Sequence, residues 1–244
     1  MINFTDKEQI VLDYAAGDRV LYIALDQAVR RGISLVRYAD QDGVLLYVPC
    51  AETWLLSAKN EDTCRKLLEQ TGPGQWVVLH DISYWHILEK AGLRCFQEPA
   101  YSAAYLQKTI KPYTPEGVEI RPLAPEHLPV VKENYLLEND EAYLLERINE
   151  GMLGAFKGNT LMGFVGTHDE GSMGLLEVLP QYRRQGLGTA LSTHMIAWEL
   201  AKGHIPYDQY FISNQLSHDL QSKLGFSFSS QPLIWMKTPG GDEQ

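Results

Sequence analysis

The spacing of hydrophobic residues changes along the chain and predicts alternating helices and strands. Apolar residues recur at helical spacing from Asp6 to Arg31, and Gly17-Asp18 is expected to break this segment into two helices. Two runs of β-forming residues, 33–39 and 44–48, flank a turn sequence at 40–43 and predict a hairpin. The other elements expected in the first half are a helix at 61–70 with Asn60 as its N-cap, a strand at 76–80, a helix at 83–91 and an extended segment at 99–106.

A proline-containing segment separates these elements from a second series. Residues 111–117 include two prolines and a glycine and have little to bury, which is typical of a linker. The elements expected after it are strands at 118–122, 152–156, 160–168, 172–179, 207–213 and 232–236, and helices at 126–136, 140–150, 188–201 and 217–223.

The two halves of the chain end in similar sequences. When Gly92 is placed on Gly225, the lysine two residues before each glycine and the proline seven residues after each also coincide. Each half then ends with a strand, a short helix, a Lys-x-Gly-hydrophobic sequence, a proline and a strand. We infer an ancient duplication and predict two domains, at 1–112 and 113–244.

Composition and charge restrict the class of protein. The chain has 244 residues, of which 45% are hydrophobic and 21% charged, as in soluble globular proteins. A net charge of −10 argues against nucleic-acid binding. No apolar run reaches the roughly 18–20 residues that span a membrane, and the first residues show no signal-peptide pattern, so we expect a cytoplasmic location and no membrane partner. The seven histidines and the three cysteines lack metal-ligand spacing, so we expect no metal site; the cysteines are Cys50, Cys64 and Cys95.

Residues 175–191 carry the clearest chemical signal. They form an apolar strand, then a turn with two arginines and two glycines, then the start of a helix. Glycines allow backbone N–H groups to approach an oxyanion, and the helix N-terminus adds partial positive charge. This combination suits a diphosphate. The third glycine of the dinucleotide fingerprint and the Gly-Lys-Ser/Thr of the phosphate loop are both absent, so those two nucleotide sites are excluded.

The segment resembles a known cofactor loop. Arg183-Arg184-Gln185-Gly186-Leu187-Gly188 directly follows Val178-Leu179-Pro180, and this order is similar to the coenzyme A pyrophosphate loop of the GNAT superfamily of N-acyltransferases. A second segment, 214–226, is similar to the closing motif of that family, with some likeness to glycine N-acyltransferase-type members. The resemblance covers roughly 117–238, whereas the first half matches only in its closing elements.

The resemblance implies a fold, a cofactor and binding residues. The expected fold is α/β, with two tandem GNAT-like domains, each a mixed, mainly antiparallel twisted sheet flanked by helices. The acyl donor would be acetyl-CoA, which an acceptor amine attacks directly. Backbone groups of Val178 and Leu179 would bind pantetheine, those of 184–189 the pyrophosphate, and Asn214 the pantetheine arm, unless it orders the loop. The complete set assigned to the cofactor is Val178, Leu179, Arg183, Arg184, Gln185, Gly186, Leu187, Gly188, Thr189, Asn214 and Ser217.

Proton transfer is expected to depend on Glu177. An alkyl ammonium has a pKa near 10, so a base must remove its proton before attack. Glu177 lies in the strand one residue before Val178; the alternative is a glutamate held in a salt bridge. The family usually has a tyrosine that protonates the thiolate where this chain has Gln221. Ser217, His218 or a water could replace it, although we expect His218 to be a solvated helix residue.

The first half lacks the loop, and the second half carries most of the charge. At the expected position the first half has Ser57-Ala58-Lys59-Asn60-Glu61, so we predict a structural role for it. The formal charge is −2 for 1–112 and −8 for 113–244. In the GNAT family the first two helices border the acceptor site, so acidic residues there would attract a cationic amine; the alternative is a solvated helix face. The acidic residues concerned are Glu126, Glu133, Glu138, Asp140, Glu141, Glu146 and Glu150.

Three functional hypotheses follow from these residues and motifs. The first is an N-acetyltransferase acting on the primary amine of a small molecule, as a monomer or homodimer. The second is the same chemistry on a protein or peptide amine, or with a longer acyl donor. The third is a non-catalytic acyl-CoA-binding sensor, which the missing tyrosine makes conceivable.

Overall fold

The computed structural model describes residues 4–137 and 140–240 and shows a mixed α/β fold. The helices are α1 (Asp6–Ala15), α2 (Ile23–Arg30), α3 (Glu61–Leu68), α4 (Trp85–Lys90), α5 (Leu128–Asn134), α6 (Glu141–Gly151), α7 (Leu187–Ala201) and α8 (Gln215–Leu224). The strands are β1 (Leu35–Ala39), β2 (Gly43–Val48), β3 (Thr53–Ala58), β4 (Trp76–Leu79), β5 (Arg94–Cys95), β6 (Ala100–Ala104), β7 (Glu119–Pro122), β8 (Leu153–Lys157), β9 (Thr160–Thr167), β10 (Met173–Val178), β11 (Tyr207–Phe211) and β12 (Ser227–Lys237).

Most elements expected from the hydrophobic pattern are confirmed. The first helical segment is broken after Ala15, β1 and β2 pair as a hairpin, and the Asn60 side chain accepts a hydrogen bond from the Thr63 N–H at the start of α3. Strand β3 was not predicted, and its last residues, Ser57 and Ala58, lie in the segment where a counterpart of the cofactor loop was expected. All six residues of β3 are buried, so the strand has no polar alternation that would reveal it.

The described residues form two compact units. Unit 1 comprises the chain up to Ala104 together with Gln209–His218 and the chain from Ser227. Unit 2 comprises Tyr105–Asp208 and Asp219–Phe226. Strand β11 and helix α8 therefore contribute residues to both units. These units group residues that contact one another in space. The boundary expected at residue 112 separates two segments inferred to descend from one ancestor, and it stays a prediction.

Unit 1 is built on a sheet completed by the end of the chain. Strands β1, β2 and β3 are antiparallel neighbours, and β3 pairs in parallel with β4 over four residue pairs. Strand β12 then pairs antiparallel with both β4 and β6. Apolar side chains from β2, β3, β4 and β12 bury one face of this sheet against α3 and α4.

Unit 2 is built on an antiparallel meander. Strand β7 pairs with β8, β8 with β9 and β9 with β10, while α7 packs on β8, β9 and β10. The parallel pairing described between β10 and β11 consists of Met173 opposite Asp208. A second core contains residues of α5, α6, β8, β9 and β10, including Phe156, Phe164 and Leu175.

A β-bulge in β10 gives that strand one more residue than its partner. The pairing with β9 runs from Gly174 opposite Gly166 to Glu177 opposite Phe164. Leu175 lies within this interval at a φ of 49° and is 1% exposed. A left-handed conformation costs a leucine about 1–2 kcal/mol, and burial of its side chain returns about 1.5–3 kcal/mol. The core therefore holds the bulge in place.

The two glycines matched at the ends of the halves have the same conformation. Gly92 follows α4 with a φ of 87°, and Gly225 follows α8 with a φ of 85°. The next residue also donates its backbone N–H five residues back in each case, from Leu93 to Leu88 and from Phe226 to Gln221. Both helices thus end in the same glycine cap, because a left-handed residue is required there. Since this cap ends roughly a third to a half of helices, the duplication itself stays a prediction.

We predict that Leu175→Ala lowers the free energy of unfolding by about 2–5 kcal/mol, because it opens a cavity at the residue that anchors the bulge. Urea denaturation of both proteins measures the difference. Leu216→Ala is the matched control, since Leu216 is 85% exposed and its truncation should change stability by less than about 0.5 kcal/mol. Equal effects of the two substitutions would contradict the anchoring role.

Candidate functional site

Val178, the last residue of β10, and Leu179, which follows it, direct their backbone groups differently. Leu179 donates its N–H to the Met162 carbonyl and accepts from the Tyr182 N–H, so both of its backbone groups are engaged. Val178 lies opposite Gly163. Because residues of an antiparallel pair alternate, and the neighbouring residue Leu179 bonds to β9, the N–H and C=O of Val178 point away from β9. Two residues were assigned to pantetheine. The backbone groups of Val178 point away from β9, whereas those of Leu179 are already hydrogen-bonded to other residues of the protein.

Arg183 bridges the candidate base and the strand backbone. Its Nη2 lies 3.0 Å from Glu177 Oε1, and its Nε donates to the Val178 carbonyl at 3.1 Å. The Glu177 side chain is 28% exposed and that of Arg183 59% exposed. The structure thus shows the salt-bridged glutamate that the sequence left open as an alternative. The role of Glu177 as a base stays a prediction, and Arg183 contacts Glu177 rather than pointing away into solvent.

The turn after β10 has an unusual backbone. Residues Pro180–Tyr182 form one 3₁₀ turn, after which Arg184 and Gly186 have φ values of 62° and 78°, while Gln185 between them keeps a negative φ. Alternation of left-handed and ordinary residues directs successive N–H groups toward one side, as in anion-binding nests. Residues 183–186 are all exposed. A surface loop that holds an arginine in a left-handed conformation stores strain of about 1–3 kcal/mol, which is typical of functional sites.

Helix α7 begins directly after this turn, with Gly186 as its N-cap. Its first N–H groups have no partner within the helix, and the helix dipole makes this end partly positive. Gly188 has ordinary helical geometry, and a Cβ there would meet only Leu220 Cδ2, at 3.8 Å. Glycine at 188 is therefore not required by protein packing, whereas close approach of a ligand would require it. Leu187 is buried beneath this surface, and Thr189 is half-buried. The residues present fit a diphosphate.

Asn214 and Ser217 lie in unit 1 at the start of α8. The Asn214 side-chain oxygen accepts from the Ser217 N–H at 3.1 Å, so Asn214 caps the helix. His218 lies in helix α8 as expected, but it is half-buried rather than fully solvated. Its ring stacks on Phe228 with centroids 4.7 Å apart and lies 5.8 Å from the Tyr210 ring, because α8 packs this face on the sheet.

Gln221, at the position of the family tyrosine, is buried within unit 2. It is 4% exposed, and its Nε2 donates a hydrogen bond to the Asp208 carboxylate. This bond ties α8 to the start of β11. Gln221 is therefore a packing residue and has no proton to give to a thiolate.

The described acidic residues of the segment 126–150 are all exposed, in agreement with the alternative of a solvated helix face. Glu126, Glu133 and Glu141 are exposed, with Glu141 bonded to Lys132 at 2.8 Å, and Glu138 lies outside the described residues. Arg147, however, is buried.

The buried guanidinium of Arg147 lies close to one largely buried carboxylate, Asp169, and to two exposed ones, Glu146 and Glu150. It is 2.6 Å from Asp169, 3.0 Å from Glu150 and 3.5 Å from Glu146. Burial raises the pKa of Asp169 to about 6, with Arg147 opposing the shift and Glu170 adding to it. Part of the acidic run thus neutralises a buried cation, which periodicity alone does not reveal.

The equivalent region of the first half is closed. Strands β3 and β4 pair over four residues, and His80 extends the pairing with its N–H and Nδ1, both bonded to the Leu56 carbonyl. The Tyr14 hydroxyl bonds Ser57 Oγ at 3.0 Å, and Asn60 caps α3. This region therefore differs from the loop at 183–189 in its continuous strand pairing and in lacking a glycine pair, and the loss of a cofactor site here stays a prediction.

The turn predicted between β10 and α7 is present, its role in cofactor binding stays a prediction, and the contacts around it were not predicted from the sequence. The structure brings Glu177, Val178 and the 183–189 segment together in unit 2. The sequence does contain a signal for the Glu177–Arg183 ion pair, because the two residues carry opposite charges on either side of a Val-x-Pro turn. Tyr113 contacts Gly186: a Cβ on Gly186 would lie 3.2 Å from Tyr113 Cε1. The only sequence signal for this contact is weak, namely an aromatic residue between two prolines.

The described part of the chain lacks two classes of feature. Residues 4–137 and 140–240 contain no group of three or more His, Cys, Asp or Glu side chains arranged to hold a metal ion. Among the helices of the same residues, none has the length and apolar character needed to cross a membrane.

Comparison with known proteins identifies the fold. Residues 152–235 match the family model described as FR47-like protein. A Drosophila protein structure is 18% identical with a TM-score of 0.71, covering 98% of both chains. A GCN5-related N-acetyltransferase from Kribbella flavida is 15% identical with a TM-score of 0.58, covering 92% of this chain and 97% of that one. A tandem GNAT protein from the clavulanic acid biosynthesis pathway is 15% identical with a TM-score of 0.50, covering 98% and 96%.

These matches confirm the predicted α/β fold and the resemblance to the GNAT superfamily. A comparison with curated protein sequences found no match. The likeness to glycine N-acyltransferase-type members stays a prediction.

We predict that Arg147→Met destabilises the protein by about 3–5 kcal/mol near neutral pH, because it leaves the largely buried Asp169 carboxylate without its cation. The native pKa of Asp169, about 6, lies above its ordinary value of 3.8. The native state therefore takes up a proton as pH falls through this range, and the deficit of the variant should shrink between about pH 7.5 and about pH 5. Urea denaturation at both values measures it. Arg30→Met, which breaks an exposed pair with Asp26, should cost less than about 1 kcal/mol at both. A pH-independent deficit would refute the assignment.

We predict that Gly188→Ala keeps or raises the melting temperature, since alanine favours a helix by about 0.5–1 kcal/mol and meets no obstacle. Gly186→Ala should instead lose stability, because φ is 78° and a Cβ would lie 3.2 Å from Tyr113 Cε1. Thermal unfolding followed by circular dichroism compares them. A loss above about 1 kcal/mol for Gly188→Ala would show that the fold itself requires this glycine.

Proposed function

We propose that this chain, which has the fold of the GNAT N-acetyltransferases, transfers the acetyl group of acetyl-CoA to a primary amine of a small molecule. The observation that carries the proposal is the loop 183–189. It combines left-handed residues, an exposed helix N-terminus and a glycine at 188 for which protein packing gives no reason. Such a surface binds a diphosphate, and coenzyme A contains one.

The cofactor would bind along one edge of β10. Val178 offers an outward backbone N–H, its carbonyl being held by Arg183, and Arg184 adds a cation beside the loop N–H groups that hold the diphosphate. When bound, acetyl-CoA supplies an acyl thioester whose carbonyl a neutral amine can attack. This chemistry requires no serine or cysteine nucleophile in the protein.

Glu177 is the group assigned to accept the proton of the amine. Its carboxylate lies one residue before Val178 and is held by Arg183 through Oε1 at 3.0 Å, which fixes its orientation at the strand edge. A positioned carboxylate or a water bound to it can remove the ammonium proton before attack. Gln221 cannot return a proton to the departing sulfur, but a thiol has a pKa near 8.5, so its thiolate leaves without an acid.

A cationic amine is the acceptor class that the charges favour. Unit 2 exposes Glu126, Glu133 and Glu141, which would concentrate cations near α5 and α6. Protein or peptide amines and longer acyl donors remain alternatives, as does an acyl-CoA sensor without catalysis. We further propose a cytoplasmic protein that acts as a monomer or homodimer.

We predict that Gly186→Val and Gly188→Val each abolish acetyl-CoA binding in calorimetry, because a branched side chain at the start of α7 would hinder close approach of a diphosphate to the loop N–H groups. Gly188→Val retains helical φ and provides the variant that folds normally. Glu177→Gln should bind acetyl-CoA like the parent protein and reduce turnover by about 10²-fold, measured as thiol release across a panel of amines.

The outcomes separate the hypotheses. Thiol release with amines and its loss in Glu177→Gln support an enzyme in which this carboxylate is the base. Binding without turnover for any small amine or peptide indicates a sensor. Absence of acetyl-CoA binding by the parent protein refutes the proposed function, and unchanged turnover in Glu177→Gln across pH excludes that residue as the base.

A further inference from the structure

The proline-containing segment before β7 is fixed to helix α7. The Tyr113 N–H donates to Thr193 Oγ1 at 3.0 Å, and the Thr193 hydroxyl itself donates to the Ala190 carbonyl at 3.1 Å. The next side chain, Thr114, lies 2.9 Å from His194 Nε2 through its Oγ1. The expectation that this segment is only a linker with little to bury was therefore wrong in part, because two of its residues are attached to the second turn of α7.

This attachment places the Tyr113 ring against the candidate diphosphate loop. A Cβ on Gly186 would lie 3.2 Å from Tyr113 Cε1 and 3.3 Å from its hydroxyl oxygen. The ring is thus in contact with the N-cap glycine of α7, at the helix end where N–H groups are exposed. Tyr113 is 47% exposed, so one part of the ring rests on the protein and another faces solvent.

A tyrosine at this position offers two kinds of contact. Its hydroxyl can donate a hydrogen bond to a phosphate oxygen, and such charge-assisted bonds are about twice as strong as neutral ones. Its exposed ring can also pack against an adenine base. Because the backbone of residue 113 is tied to Thr193, little freedom of the main chain has to be lost when these contacts form.

We propose that Tyr113 is a binding residue for the adenosine-diphosphate end of coenzyme A, and that the Tyr113–Thr193 bond positions it. The inference rests on the proposed function. It adds to that function a wall of the cofactor site contributed by the segment between the two halves. The ligand class is a nucleotide diphosphate, with the hydroxyl directed to phosphate.

Isothermal titration calorimetry with coenzyme A and with ADP tests this proposal. Tyr113→Phe keeps the ring and the backbone bond and removes only the hydroxyl, so the fold is retained. We expect it to weaken the Kd for both ligands about tenfold. In the amine assay, the KM for acetyl-CoA should rise by a similar factor while kcat changes less than about twofold. With S-acetylpantetheine as donor, which lacks the nucleotide, the variant and the parent protein should not differ.

Two further variants separate positioning from a general loss of stability. Thr193→Val removes the acceptor of the Tyr113 N–H and should also weaken coenzyme A binding. The double variant should bind about as weakly as Tyr113→Phe, because both changes act through one contact. Tyr47→Phe is the matched control: it also removes a tyrosine hydroxyl, one that accepts from Gln75 Nε2 in unit 1, and it should leave the Kd unchanged.

Each result supports or overturns the proposal. If the parent protein binds coenzyme A, Gly188→Val does not, and Tyr113→Phe binds like the parent, the proposed function stands and the role of Tyr113 is refuted. Tighter binding by Tyr113→Phe would show that the ring covers the loop against the ligand, which also refutes it. If the parent protein binds neither coenzyme A nor ADP, the proposed function and this inference fail together.

Discussion

The geometry of the candidate site depends on one buried leucine. Leu175 occupies a left-handed conformation that leucine disfavours, and the apolar core of unit 2 keeps it there. The additional residue shifts the register of β10 against β9, so that Val178 has its backbone groups on the side away from β9. The Val-x-Pro turn, the nest and the first turn of α7 follow from the direction in which β10 then ends. Packing thus fixes where the chain can present N–H groups to a ligand.

The two halves show how strand pairing permits or prevents such a site. In unit 1 the parallel strands β3 and β4 pair over four residues, and His80 continues the pairing through the Leu56 carbonyl. In unit 2 the pairing described for β10 and β11 is Met173 with Asp208. Backbone groups that already bond a neighbouring strand are not free to bind a cofactor. Conservation of architecture and retention of a binding edge are therefore separate properties of this fold.

Local sequence patterns predicted what depends on local interactions. The Asn60 cap, the first hairpin, the break after α1 and the glycine-rich turn before α7 each follow from residues close in sequence, so the sequence was sufficient. Strand β3 escaped prediction because burial on both faces removes its alternation. The ring stack of His218 with Phe228 escaped because it joins two different elements, α8 and β12, and the bond of Tyr113 to Thr193 escaped because it joins residues 80 positions apart. The spacing of apolar residues indicates which face of a helix or strand is buried. Contacts such as these depend on which other element packs on that face, and the spacing does not give this.

The position of β12 has a consequence for how the molecule is made. This strand comes from residues 227–237, yet it lies between β4 and β6 in the sheet of unit 1. Strands β4 and β6 are synthesised before residues 227–237, so the edges that β12 occupies in the finished sheet lack this partner until then. An unpaired edge invites association with other chains, and pairing over so long a separation is slow. Completion of this sheet must therefore wait until residues 227–237 have been synthesised and released.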